Sequence, residues 1–226
     1  MRSIPFLRRA HVDHSGVRTI LAGLTLWALL APLQGQTRLT VWASFDRLPD
    51  RSTVEWMEQE AAEIFADADM AFLWQLGPRD GIDIIGPLVS VQFHGKCVLQ
   101  PSGVALPQRG PMAWVQPQDG EIRSFIDVDC DRTAAMIWQN RGTLPLPLVT
   151  RTFGRALARV VAHELYHYLT QSAAHTASEL FRPEMTSMDL TMPQIRFESG
   201  EIEAIRKAMS KLDSTAHTVA RTPGTE

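Results

Sequence analysis

Residues 159–169 read RVVAHELYHYL, and this stretch constrains the chain more than any other. Two imidazoles, His163 and His167, and a carboxylate, Glu164, stand in a run whose apolar members Val160, Val161, Leu165 and Leu169 recur at helical spacing. A four-residue step advances an α-helix by about 400° and about 6 Å, so both imidazoles share one face and can reach one ion. Glu164 lies one position round from His163, near enough to take a proton from water beside that ion without occupying the metal. Imidazoles and a carboxylate embedded in an apolar helix are costly to bury without a partner, and the HExxH spacing makes a metal, zinc first, the expected one. The plainer alternative is a core helix whose histidines are only hydrogen-bonded.

A catalytic zinc takes three protein ligands and keeps one position open. His175, eight residues beyond His167, is the leading third ligand; Glu179 and Glu184 are rivals, and an ordinary exposed histidine is the remaining option. A continuous helix would carry His175 ~12 Å further along the axis, so the chain must turn back between Leu169 and Ala174. The intervening TQSAA is compatible with a helix end, although it holds no glycine to adopt a left-handed conformation cheaply.

The preceding chain is rich in strand signals. TRLTVWA from Thr37 alternates, and Ser52 is expected to cap a helix whose apolar positions are Val54, Met57, Ala61, Ile64 and Phe65. MAFLWQL at 70–76 reads as a second strand, and Ile82 to Phe93 as a third that Gly86 and Pro87 interrupt. MAWVQ and SFIDVDC flank a turn at Pro117 to Gly120 and predict a hairpin; Asp131 then caps a short helix through Gln139. A Pro-broken connector from Arg141 leads to the long helix, expected from Thr150 or Thr152 to about Gln171, and a last helix covers Ser199 to Leu212. Strands in the first two-thirds with the principal helices at either end predict an α+β fold rather than a doubly wound parallel one.

Composition bounds the rest. The chain has 226 residues, 45% apolar and 21% charged, which suits one folded domain and excludes collagen, coiled coil and wholesale disorder. A net charge of −3 without a clustered basic face argues against a nucleic-acid partner. Arg2, Arg8, Arg9 and Arg18 precede an uncharged apolar run that Pro32 and Gly35 close, so residues 1–35 read as a signal peptide, or as a signal anchor if left uncleaved. Removing them changes the net charge to about −6, since four arginines and one aspartate leave. The expected protein is therefore exported, secreted or periplasmic, touches a membrane only through that segment, and has one domain over 36–212 with a disordered tail over 213–226. It is treated as a monomer. Two cysteines are too few for a cysteine-ligated zinc ribbon; Cys97 and Cys130 are either bridged, as export would permit, or buried thiols.

Other constellations fail. Asp127, Asp129 and Asp131 begin like a calcium loop, but Arg132 stands where glycine is needed and Trp138 where glutamate is needed. His94 and Cys97 are two groups, not a structural zinc site, and His94 reads as a sheet histidine.

His163, Glu164, His167 and His175 resemble the zinc-binding region of metzincin-type metallopeptidases, HExxHxxGxxH followed by a methionine turn. Thr170 stands where that pattern has glycine, Ala173 where it has the third histidine, and His175 comes two residues later. Together, VWASFDRLP, AAEIFADADMAFLWQ, FIDVDCDRTA and HELYHYLTQSAAH resemble small exported bacterial zinc-metalloprotease-like proteins with this longer spacing, over most of the chain past the leader. The resemblance implies a zincin-like fold in which a twisted mixed sheet packs on a long active-site helix, with a C-terminal helix. It also implies zinc on His163, His167 and His175, Glu164 as general base, a peptide or protein substrate, and a methionine below the metal, Met185 first and Met188 second. The alternative in another class is an exported zinc-binding or structural module without catalysis.

Overall fold

The structure is a computed structural model that describes residues 37–77, 84–99, 110–138, 146–178, 180 and 182–221. The expected leader over 1–35, Glu179, and the end of the chain from 222 lie outside the described residues. Among the described residues no helix is long and apolar enough to cross a membrane.

Five strands form one mixed sheet: β1 (Thr37–Phe45), β2 (Met70–Leu76), β3 (Leu88–His94), β4 (Ala113–Gln118) and β5 (Glu121–Asp129). Their order is β2-β1-β3-β5-β4, and all neighbours run parallel except β4, which pairs antiparallel with β5 at the sheet edge. The helices are α1 (Arg51–Phe65), α2 (Cys130–Trp138), α3 (Leu146–Thr170), α4 (Ser187–Thr191) and α5 (Ser199–Arg221). The α+β class expected from element order holds.

Period-two alternation decides which side of the sheet is buried. Leu39, Val41 and Ala43 of β1, Val89, Val91 and Phe93 of β3, and Ile126 and Val128 of β5 join one core with Met57, Ala61 and Phe65 of α1 and Phe153, Leu157 and Val161 of α3. The two helices touch closely at Gly154, where a Cβ would stand 2.4 Å from the Thr53 carbonyl oxygen, so only glycine fits. The opposite face is polar. There Asp127 accepts from Gln116 at 3.0 Å and lies 2.7 Å from His94 Nε2, and the His94 ring stacks on Trp114.

Several expected boundaries shift for local reasons. Asp50, not Ser52, precedes α1, its carbonyl accepting from Thr53 N–H at 2.8 Å. Strand β3 begins only after Pro87, because Gly86 is left-handed at φ 77° and Ile85 bonds Thr40 Oγ1 through both backbone groups. The hairpin turns on Asp119 and Gly120, both at positive φ (54° and 81°), while Pro117 stays within edge strand β4 at a register shift. Asp129, not Asp131, caps α2, accepting Arg132 N–H at 2.9 Å; Asp131 instead accepts Lys96 N–H at 3.0 Å. Helix α3 starts at Leu146, earlier than expected, because Pro147 falls in its first turn, where a missing N–H costs nothing. Helix α5 runs to Arg221 rather than stopping at Leu212, so part of the expected tail is helical; no proline intervenes until Pro223. Cys97 and Cys130 are joined by a disulfide that ties the chain after β3 to the start of α2.

Candidate metal centre

The C-terminal half of α3 is mostly apolar, and His163, Glu164 and His167 are buried within it. Val161, Ala162 and Leu165 have no exposure, and His163, Glu164 and His167 keep only 5% to 7%. Nδ1 of His163 lies 2.9 Å from the Leu180 carbonyl oxygen, and Nδ1 of His167 lies 2.6 Å from that of Ser172. A carbonyl only accepts, so both Nδ1 atoms carry the hydrogen and both Nε2 atoms present a lone pair.

The return of the chain brings the third imidazole. Helix α3 ends at Thr170, and Gln171 takes the left-handed conformation at φ 51° that the sequence offered no glycine to fill. Ser172 N–H then bonds back to the His167 carbonyl at 3.3 Å, and the strand of chain beyond it carries His175 over the helix. His175 Nε2 is 3.3 Å from Nε2 of His163 and 3.3 Å from Nε2 of His167, which are 3.2 Å from each other.

Three nitrogens at those separations form a nearly equilateral triangle. Its corners are ~1.9 Å from its centre, so a point just off the plane lies ~2.0–2.1 Å from all three, the length of a zinc to imidazole bond. Lone pairs crowded on one point repel unless a cation lies between them. A proton is a poor substitute: burial, reinforced by the two neighbouring imidazoles and opposed by the Leu180 carbonyl, pushes His163 down to about 4. His167 is lowered as well, chiefly by burial and further by His175, against the Ser172 carbonyl. The donor set therefore fits a divalent metal. Among the described residues this is the one group of three or more ligand-type side chains so close together. His175 thus joins the imidazole pair, and Glu184 does not; it stands exposed on the wall of a neighbouring cavity.

Glu164 lines the same cleft as the three imidazoles, beside the sheet edge. Burial raises its carboxyl to about 7, against the lowering effect of a hydrogen bond from the Val115 backbone N–H. Val115 belongs to β4, so the sheet edge among the described residues runs beside the centre. One cleft of about 330 Å³ is lined by Ala113, Trp114 and Val115 together with His163, His167 and His175. A second cavity of about 570 Å³ lies between α3, α2 and the 183–185 segment, and Met112, Arg132, Met136, Val160 and Met185 line it with Glu164. Met185 is buried beside this site, whereas Met188 is 70% exposed, which removes it as the methionine beneath the metal.

Sequence reasoning missed the groups that hold the site in place. The Leu180 and Ser172 carbonyls and the Val115 N–H are backbone atoms, invisible to residue type. Arg159 is different: it stands one helical step before His163, is fully buried, and its guanidinium binds Glu60 of α1 at 2.6 Å and 2.8 Å. An arginine on the apolar side of that helix was the available signal.

No model of a known protein family matches this chain, and no match was found among curated proteins.

Proposed function

We propose that this chain is a zinc-dependent peptidase of zincin type. The triangle of Nε2 atoms carries the reading: 3.2–3.3 Å on each side, two of the three tautomers fixed by carbonyls, and a carboxylate in the next helical position. Three imidazoles suit zinc and leave a fourth position for water or substrate, as a catalytic site requires. When bound, zinc supplies Lewis acidity and positive charge, acidifying water toward ~7 and polarising a carbonyl.

The protein's own groups do the remainder. Glu164 is the general base: the attacking water gives its proton to the carboxylate, and that proton passes to the departing amine. The Val115 N–H keeps the carboxylate oriented. Strand β4, at the sheet edge among the described residues, favours an extended peptide, which can add to the sheet as a further strand and pass the centre. The larger cavity would receive one substrate side chain, its three methionines adapting to shape and Arg132 supplying a polar contact. The Cys97–Cys130 disulfide supports an exported location, where such bonds persist.

Metal analysis and activity on the same preparations test the reading. Wild-type protein should hold about one zinc and cleave members of a peptide library; Glu164→Gln should hold the same zinc and cleave none; His175→Ala should lose most of its zinc. Full peptidase activity in Glu164→Gln would remove the base, and zinc with no cleavage of any peptide by the wild type would leave a binding module instead.

A further inference from the structure

Two anchors of the metal centre belong to one short stretch of sequence, of which residues 175–178 and Leu180 are described. It begins at His175, the third imidazole, and reaches Leu180, whose carbonyl orients His163 at 2.9 Å. Its middle is held from α5. Thr176 Oγ1 and Ser178 Oγ donate to one oxygen of Glu201, Oε1, at 2.7 Å and 2.6 Å. The other oxygen, Oε2, accepts the Glu198 backbone N–H at 2.8 Å, the usual duty of an acid in the first turn of a helix. Glu201 and Ser178 are each 4% exposed.

We infer that Glu201 is a positioning residue for the metal centre, fixing through Thr176 and Ser178 the segment that supplies the third ligand and orients the first; this rests on the metal reading above. Capping α5 needs one carboxylate oxygen and no burial. The second oxygen is committed to two hydroxyls within three residues of His175, and charge-assisted bonds of this kind are shorter and about twice as strong as neutral ones. The need follows from the turn itself. With no glycine after α3 and eight residues from His167 to His175, the returning chain has no helix or strand to fix it, and His175 is exposed. Were that segment not held, its histidine would spend part of its time out of reach, and the metal affinity would fall by that fraction.

Zinc affinity, measured by competition with a chromogenic chelator on the full chain, tests this alongside the melting temperature of the metal-free protein. The double variant Thr176→Val, Ser178→Ala leaves the Glu201 to Glu198 bond intact, so α5 stays capped. It should bind zinc at least ~10-fold more weakly while the metal-free protein stays folded at the assay temperature, with a melting temperature lower by several degrees because the buried Glu201 oxygen loses two donors. Glu201→Ala should weaken zinc at least as much, and Glu201→Gln, which keeps an accepting oxygen for the hydroxyls, should fall between it and wild type. Wild-type zinc affinity in the double variant would overturn the inference, as would a loss of affinity that only accompanies collapse of the metal-free fold. Failure of the wild type itself to bind zinc is a separate result, which removes the metal reading and this role with it.

Discussion

The side chain of Gln171 pairs with both backbone groups of Ile122, accepting its N–H at Oε1 and donating from Nε2 to its carbonyl, each at 2.9 Å. A glutamine thereby stands in for a strand partner and pins the β4–β5 hairpin to the end of α3. The same residue carries the left-handed φ of 51° on which the return of His175 depends. That conformation costs a non-glycine residue ~1–2 kcal/mol, and exposed neutral hydrogen bonds return about that much. Gln171→Ala keeps the backbone cost and loses the bonds, so it should lower stability by about 1 kcal/mol, or ~2–4 °C in melting temperature for a domain of this size. Gln171→Gly loses the bonds and the cost together and should lie closer to wild type. Thermal unfolding of the two variants beside wild type decides it; an alanine variant as stable as wild type would show that the side-chain pairing is not what holds the turn.

Protonation of Glu164 should leave a mark on the stability of the metal-free chain. Its carboxyl titrates near 4.5 when unfolded and at about 7 when folded, mainly because burial disfavours the charge. Below pH 4.5 it is neutral in both states and costs nothing. As pH rises from 4.5 through 7 the unfolded chain ionises while the folded one retains its proton, so stability falls, and above 7 the loss is complete. The shift corresponds to roughly 3 kcal/mol. His163 acts in the opposite sense over a lower window, since holding it at about 4 adds stability as pH rises from 4 to 6.5. Subtracting the urea-denaturation profile of Glu164→Gln isolates the glutamate: the variant should match wild type near pH 4 and exceed it by roughly 3 kcal/mol above pH 7. Two parallel profiles would contradict a buried, proton-holding Glu164.

The parts of this site that were legible in the sequence are those set by spacing along one element. His163, Glu164 and His167 fall together because a helix repeats every ~3.6 residues, and β2 is legible end to end because MAFLWQL is bounded by turn residues. His175 leads as third ligand by residue type alone, with Glu179 and Glu184 as rivals, and because a straight helix would carry it away the sequence also demands a turn before it. What stayed hidden depends on segments distant in sequence meeting in space. Glu60 looked like one more polar residue between Met57 and Ala61, and nothing local says that it faces Arg159, 99 residues on. By position Glu201 is an acid in the first turn of a helix, and nothing local ties it to Thr176 and Ser178. Pro147 read as a breaker, although the same ring is harmless one position into a helix.

The Glu60 contact is the strongest of these hidden ties. Its carboxylate, 4% exposed, receives Arg159 Nε and Nη2 at 2.8 Å and 2.6 Å and Arg155 Nε at 2.5 Å. Arg159 spends its remaining donors on the carbonyls of Asp189 and Met192, at 2.7 Å and 2.9 Å, and Arg155 reaches that of Pro193. One acid on α1 thus balances two guanidinia on α3 that hold the chain beyond Met185, one helical step below His163. Removing it takes the hydrogen-bonded carboxylate from both guanidinia and leaves Asp189 as a more weakly acting acid beside Arg159, a change that typically costs ~3–5 kcal/mol. Glu60→Ala should therefore lower the melting temperature by roughly 10 °C, far more than any exposed acid of α1 such as Glu55. The double variant Glu60→Ala, Arg159→Ala should lose less than the sum of the single ones, because the second change removes a charge whose hydrogen-bonded carboxylate the first had taken away. Additive losses in that cycle would mean that Glu60 and Arg159 stabilise the fold independently, and that the ion pair is not what fastens the 187–193 segment to the helix of the metal centre.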